Sequence, residues 1–219
     1  MKRLALIHTV LFAAELFKKK LAARYADLQS FHVVDESLLQ ELMRSNGIMT
    51  PGLVRRLATQ AGLARDAGAD VILFTCSSTS PAVDVVRPMI DVPIVKIDDP
   101  LADAAVRIGE KIGLICTART TLGPSENLIR EHAGRQGRKV EIVTRLEAAA
   151  FEAVMAGNKA RHDALVRQAA TELGHDCDVI VLAQASMAHL VPELADSLKV
   201  PVLAAPDLCV EALASLLAD

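Results

Sequence analysis

Short apolar runs recur along the chain, and each is followed by a stretch with helical spacing. In the first half, LALIHT (4–9) reads as a strand, and residues 11–25 set Leu, Phe and Ala along one helical face. FHVVD (31–35) reads as a second strand. A long helix is expected after Thr50-Pro51, because a threonine before a proline at the first helical position is a helix-start signal. VILFT (71–75) is a third strand, residues 81–90 form a helix with Pro81 near its start, and PIVKI (93–97) is the last strand. The second half echoes this order with IGLIC, VEIVT, VIVLA and PVLAA. Continuous apolar runs, as opposed to alternating ones, point to parallel strands covered by helices on both faces, an α/β fold.

The echo extends to individual residues. GADVILFTCSSTSPAVDVVRPMIDVPIV has a partner in HDCDVIVLAQASMAHLVPELADSLKVPVL, with Asp70 on Asp178 (178 − 70 = 108), Ser78 on Ser186 and Val92-Pro93 on Val200-Pro201. The same offset carries KRLALIHT onto EKIGLICT, so His8 falls on Cys116 and Thr9 on Thr117. Two related lobes are therefore expected, residues 1–98 and 99–206, each a short parallel four-stranded sheet flanked by helices. The last helix, 207–219, is expected to pack back on the first lobe. Two copies exclude a short-period solenoid. Ligands of such sheets lie beyond the carboxyl ends of the strands, so the informative residues follow each apolar run.

Composition narrows the classes. The chain has 219 residues, 52% hydrophobic and 23% charged, with no Trp, one Tyr and five Phe, which suits aliphatic strands packed on helices. A net charge of −3 with scattered Lys and Arg argues against nucleic acid or an anionic membrane as partner, and the cluster Lys18-Lys19-Lys20 reads as a solvated helix face. The N-terminus mimics a signal peptide, but His8, Thr9 and Glu15 interrupt its apolar run and no small-residue cleavage site follows. No stretch approaches the roughly 18 uninterrupted apolar residues of a membrane span. Cys76, Cys116, Cys177 and Cys209 show no metal-ligand spacing, so no metal is expected, and they read as reduced thiols of a cytoplasmic protein. Apolar helix faces beyond the needs of one core favour a homodimer.

The chemistry concentrates at DVILFTCSSTSP, residues 70–81. A thiol where a strand runs into a helix faces backbone N–H groups and the positive end of a helix dipole, both of which favour the thiolate. Thr75, Ser77, Ser78 and Thr79 beside Cys76 can donate hydrogen bonds to a small carboxylate. On these residues alone two readings stay open: a reactive thiol, or a small buried side chain followed by helix-capping hydroxyls. The repeat shifts the balance, because Cys76 holds the place that Gln184 holds in the second lobe.

TCSSTSP in the first lobe, LAQAS in the second and ICTARTT at the start of the second lobe together resemble the aspartate/glutamate/hydantoin racemase superfamily. The resemblance spans nearly the whole chain. It implies pseudo-twofold related lobes with the active site in the cleft between them, and two cysteines that move a proton next to a carboxylate without a cofactor. It makes Cys76 the catalytic thiol and puts Gln184 in the second cysteine's place. Together with their places after the apolar runs, it leaves His8, Thr9, Thr75, Ser77, Ser78, Thr117, Thr120, Ala185 and Ser186 as the residues expected to hold a small carboxylate or amino-acid-like substrate.

Gln184 is also the departure. A primary amide cannot exchange a proton near neutral pH; it only hydrogen-bonds. Four uses of one thiol remain: a racemase or epimerase pairing Cys76 with His8, Cys116 or His189; a decarboxylase that protonates an enediolate from one face; a cis-trans isomerase that adds the thiol to a double bond; and a hydrolase using Cys76 as nucleophile. A carboxylate-binding relative without turnover is the non-enzymatic alternative. Asp98 and Asp99 read as caps of the next helix, and His132, His162 and His175 lie in polar stretches that carry no signal.

Overall fold

The computed structural model describes residues 2–218. The described residues form two compact units, one from the chain up to Ile97 together with the stretch from Pro206, the other Asp98–Ala205. The first unit runs β1 (Arg3–His8), α1 (Leu11–Arg24), β2 (Gln29–Val34), α2 (Glu36–Arg44), α3 (Pro51–Asp66), β3 (Val71–Phe74), α4 (Ser80–Val86) and β4 (Ile94–Lys96). The second runs α5 (Asp99–Ile108), β5 (Lys111–Cys116), α6 (Arg119–Arg135), β6 (Glu141–Leu146), α7 (Ala148–Met155), α8 (Lys159–Gly174), β7 (Val179–Leu182), α9 (Val191–Ser197) and β8 (Val202–Ala204). The chain then enters α10 (Ala205–Ala212) and α11 (Ala214–Leu217). These return to the first unit, where Tyr25 Oη donates to the Val210 carbonyl at 2.7 Å and Lys2 Nζ to the Leu216 carbonyl at 3.0 Å.

Both sheets are wholly parallel, in the orders β2-β1-β3-β4 and β6-β5-β7-β8. The central strands are buried throughout β3 and β7, and from the second residue of β1 and β5 onward. That explains their unbroken apolar runs: helices cover both faces. The offset of 108 carries β1 onto β5, β3 onto β7 and β4 onto β8, whereas the edge strands β2 and β6 differ by 112 (141 − 29). Four extra residues therefore lie between β5 and β6, where α6 has 17 residues against 14 in α1.

Thr50 caps α3 as its sequence predicts, its Oγ1 accepting from Leu53 N–H at 3.2 Å with Pro51 in the first turn. The strand-by-strand reading passes over α2, which starts on the side-chain cap of Asp35 and buries Leu38 and Leu42, an i,i+4 pair. Asp98 stands at the N-cap of α5, but its side chain makes no capping bond. Asp70 and Asp178, equivalent in the repeat, have one physical job. Asp70 Oδ2 accepts from Arg3 N–H at 2.7 Å, and Asp178 Oδ2 from Glu110 and Lys111 N–H at 2.9 and 2.8 Å. Each carboxylate ties the start of its unit's first strand to the segment before the third. Among the described residues, no helix is long and apolar enough to cross a membrane.

The two cores solve one packing problem differently. A methyl placed on Gly113 of β5 would lie 2.7 Å from Ile180 Cδ1 and 3.2 Å from Cys177 Sγ. The matching pair in the first unit is Ala5 and Ala69, both buried, against the matching Ile72. The larger Cys177 is thus accommodated by the methyl that Gly113 lacks. Gly113→Ala is expected to destabilise by about 1–3 kcal/mol through overpacking. Adding Cys177→Ala, which recreates the Ala5/Ala69 pair, is expected to recover more than half of that loss in a denaturant double-mutant cycle. Additive effects of the two substitutions would refute the compensation.

Candidate functional site

In the first unit the carboxyl edge is formed by the ends of β1 and β3. Cys76 leaves β3 in extended conformation and enters a 3-10 turn, Ser77–Thr79, that leads into α4. Neither N-cap residue, Cys76 for the turn or Thr79 for α4, makes a side-chain capping bond. Thr79 instead folds back on Cys76, its backbone N–H and Oγ1 donating to the Cys76 carbonyl at 3.0 and 2.8 Å. Thr75, Ser77, Ser78, Thr79 and Ser80 are all buried, whereas Cys76 between them is partly exposed. Cys116, Cys177 and Cys209 are buried.

His8 ends β1 fully buried. Thr75 Oγ1 donates to the Ile7 carbonyl at 3.1 Å, so it accepts from His8 Nδ1–H at 2.8 Å. His8 Nε2 then accepts from His32 Nδ1–H at 2.9 Å, and the two rings stack with centroids 5.1 Å apart. Burial, and secondarily the neighbouring His32, pushes the His8 pKa down to about 3. Both ring nitrogens of His8 are occupied and the ring is neutral, so His8 positions groups and does not exchange protons near pH 7. Thr9, next in sequence, is different: its Oγ1 is buried without a hydrogen-bond partner. A buried hydroxyl left in that state favours a ligand that would satisfy it.

In the second unit the equivalent edge holds Gln184 after β7 and Cys116-Thr117 after β5. Gln184 Oε1 accepts from Thr117 N–H at 2.5 Å, Thr117 Oγ1 at 3.2 Å and Ala118 N–H at 3.4 Å. Backbone N–H groups only donate, which fixes the amide orientation and leaves its NH2 as the donor end. Thr120 is buried in the first turn of α6, and Ala185 and Ser186 begin a partly buried 3-10 turn, Ala185–Leu190. Burial drives the Cys116 thiol up to about 12, with Glu126 adding to it, so Cys116 stays protonated and inert.

Other polar residues gather on that edge beyond those expected from sequence. Asp163, only 8% exposed, accepts from Lys159 Nζ at 2.6 Å and faces His189 Nε2 at 2.9 Å through Oδ2, while Oδ1 faces His162 Nδ1 at 2.8 Å. Lys159 Nζ also lies 2.6 Å from His189 Nε2. Burial raises the Asp163 pKa, but the hydrogen bonds from Lys159, His189 and His162 outweigh it and hold the carboxyl well below its usual range. His162, from a stretch that reads as polar, is fully buried, and its Nε2 has no partner. Away from that edge, in the last turn of α6, His132 is also buried, 3.3 Å from Asp99. The available sequence signal was the i,i+4 pair Lys159/Asp163 on one helical face. In the first unit, Lys96 at the end of β4 is buried and paired with Asp84 at 2.7 Å, another contact without a sequence signature.

A sequence profile of the family described as Asp/Glu/Hydantoin racemase matches residues 19–213. No curated protein matches the chain. Among solved structures, an aspartate racemase homologue from Pyrococcus horikoshii shares 18% identity over 99% of both chains, with a TM-score of 0.70. Glutamate racemase from Francisella tularensis, in complex with D-glutamate, shares 16% over 99% of this chain and 80% of its own, at 0.76. Unliganded arylmalonate decarboxylase shares 15% over 99% and 93%, at 0.64. At these identities the likeness is one of fold.

Exposure and burial separate the thiols. Iodoacetamide near pH 7.5 is expected to alkylate Cys76 in the native protein and to leave Cys116, Cys177 and Cys209 unmodified, read by peptide mass mapping; labelling of Cys116 at the rate of Cys76 would contradict it. His8 sets a pH dependence. Its folded pKa lies below its unfolded one, so the unfolded state binds more protons and stability falls as pH drops from about 6.5 toward 3, by up to about 1.4 kcal/mol per pH unit. Between pH 6.5 and 4.5 the melting temperature of His8→Gln is expected to fall less steeply than that of the parent. Equal slopes would place the burden elsewhere.

Proposed function

Because the chain belongs to the Asp/Glu/Hydantoin racemase family, we propose that it is a cofactor-independent isomerase of the racemase or epimerase kind. It moves a proton at the carbon next to the carboxylate of a small acid, amino acid or cyclic amide, and Cys76 is its thiol. The observation that carries this reading is the partial exposure of Cys76 at the carboxyl end of β3 among hydroxyls that are themselves buried.

The thiolate of Cys76 takes the proton from carbon, and the C–H electron pair moves into the carboxylate as an enediolate. Donors aimed at that oxygen supply the stabilisation, each worth roughly 2.7–4 kcal/mol when preorganised. Thr9 is suited to this, with a buried hydroxyl lacking a partner. Ser77, Ser78, Thr117, Thr120 and Ser186 are the further candidates. Gln184 contributes as a donor through its amide NH2, since its oxygen is held by Thr117 and Ala118.

Decarboxylation is the second reading, favoured by the anchored Gln184. In that reaction the C–C bond breaks, carbon dioxide leaves, the pair stays behind as an enediolate, and the Cys76 thiol protonates it from one face. No second acid or base is needed.

The test compares the parent protein with Cys76→Ala in heavy water, on L- and D-aspartate, L- and D-glutamate, both enantiomers of 5-benzylhydantoin, and phenylmalonate. Loss of the α-proton signal reports exchange, and carbon dioxide release reports decarboxylation. Removing the thiol is expected to slow the reaction by about 10²–10⁴-fold. A reaction that persists in Cys76→Ala within tenfold of the parent would overturn the assignment of Cys76.

A further inference from the structure

Lys159 is the first residue of α8, its side chain is 64% exposed, and its ammonium nitrogen meets two different kinds of acceptor. One is Asp163 Oδ2 at 2.6 Å, and the other is His189 Nε2, also at 2.6 Å. The other lysines with a hydrogen-bond partner among the described residues, Lys2, Lys20, Lys96 and Lys111, donate to carbonyl or carboxylate oxygens. Such oxygens hold a proton on the lysine nitrogen. An imidazole nitrogen is a base able to take it away.

The protons of the cluster follow from its charges. Asp163 is ionised and only accepts, so His162 Nδ1–H donates to its Oδ1 at 2.8 Å. The Lys159 ammonium donates to Asp163 Oδ2 and to His189 Nε2, which places the His189 proton on Nδ1 and leaves Nε2 as a lone pair. Moving one proton from Lys159 Nζ to that lone pair gives a neutral amine and an imidazolium, and the imidazolium then donates to Asp163 Oδ2, 2.9 Å away. Asp163 keeps a cation at hydrogen-bonding distance in either state, so the transfer strands no buried charge. The positive end of the α8 dipole, where Lys159 stands, disfavours a cation there. From α9, Glu193 faces His189, but Arg167 neutralises it through two hydrogen bonds of 2.5 and 2.9 Å, so neither adds a free charge.

We propose that Lys159 is a nucleophilic amine, a modification site for acyl groups delivered by thioesters or acyl phosphates, with His189 as its base and Asp163 as the positioning residue of that base. The cluster lies wholly within the second unit and uses no thiol, so the proposal goes beyond the racemase reading and stands independently of it. His189 takes one proton from Lys159, and the amine lone pair forms a C–N bond at the acyl carbon. The bond from that carbon to sulfur or to the phosphate oxygen breaks, its pair leaves with the departing group, and the imidazolium protonates that group. The surplus proton on nitrogen passes to the freed imidazole and then to water. Lysine ammonium and acyl donor thus become amide, thiol or phosphate, and one proton.

The test incubates the full-length protein at pH 7.5 with S-acetyl-N-acetylcysteamine or with acetyl phosphate and follows every lysine by peptide mass mapping. Lys159 is expected to be acetylated at least about tenfold faster than the exposed Lys18, Lys19, Lys139 and Lys199 by one reagent or both, which also tells the two donor classes apart. The advantage is expected to shrink as the pH is raised to 10, where solvent deprotonates the control lysines. His189→Gln is expected to bring Lys159 within threefold of the controls at every pH. Asp163→Asn is expected to slow Lys159 by at least fivefold with the controls unchanged. Cys76→Ala is expected to leave the labelling as in the parent. If Lys159 in the parent reacts less than tenfold faster than the controls with both reagents, the site is refuted without recourse to any variant. If the advantage survives in His189→Gln, His189 is not its base.

Discussion

Burying both faces of a parallel sheet confines polar chemistry to the ends of its strands, and the two units of this protein are organised by that constraint. Between Leu4 and Ile7, Val71 and Phe74, Ile112 and Ile115, and Val179 and Leu182 no polar side chain occurs, and all of these residues are buried. At the amino edges one carboxylate per unit, Asp70 or Asp178, satisfies strand-start N–H groups. At the carboxyl edges hydroxyls, imidazoles, a thiol and an amide accumulate. In parallel sheets covered on both faces, that edge is where ligands bind.

Much of this was legible in the sequence because the repeat carries few insertions. Three of four strand pairs keep one offset, so Asp70/Asp178, His8/Cys116 and Cys76/Gln184 can be paired by counting. The edge strands β2 and β6 fall out of register by four residues, and the counting fails there. Other features depend on contacts that no local pattern encodes. Lys96 looks like a polar residue at a strand end, yet it is buried because Asp84 reaches it from α4. His162 sits in a polar stretch of sequence and is sealed because His189, from another element, stacks across it.

Gln184 illustrates how far a residue type can be read without its partner. That an amide exchanges no proton follows from its chemistry alone. Which end of the amide is available does not. That depends on Thr117 and Ala118, more than sixty residues earlier in the chain, whose N–H groups hold the oxygen and expose the nitrogen. The second unit's β5–α6 turn thereby has its donors engaged by a neutral group of the same chain. In the first unit the equivalent turn follows Thr9, whose hydroxyl is buried and without a partner. The two units, alike in fold, thus differ in whether the hydrogen-bonding groups of that turn are engaged within the chain.

The same asymmetry applies to protons. In the first unit burial forces His8 into its neutral form and occupies both of its nitrogens, so the ionisable group left at the edge is the partly exposed thiol of Cys76. In the second unit the residue in the thiol's place cannot ionise, and a charged cluster is built five residues later, where the first unit has Pro81. A buried aspartate is costly to keep charged, and three donors around Asp163 are what keep it so. If structure were the only demand, an apolar packing at that position, of the kind Pro81 provides in the first unit, would be less expensive. Asp163 is thus held charged between two imidazoles and a lysine at a cost that apolar packing would not incur.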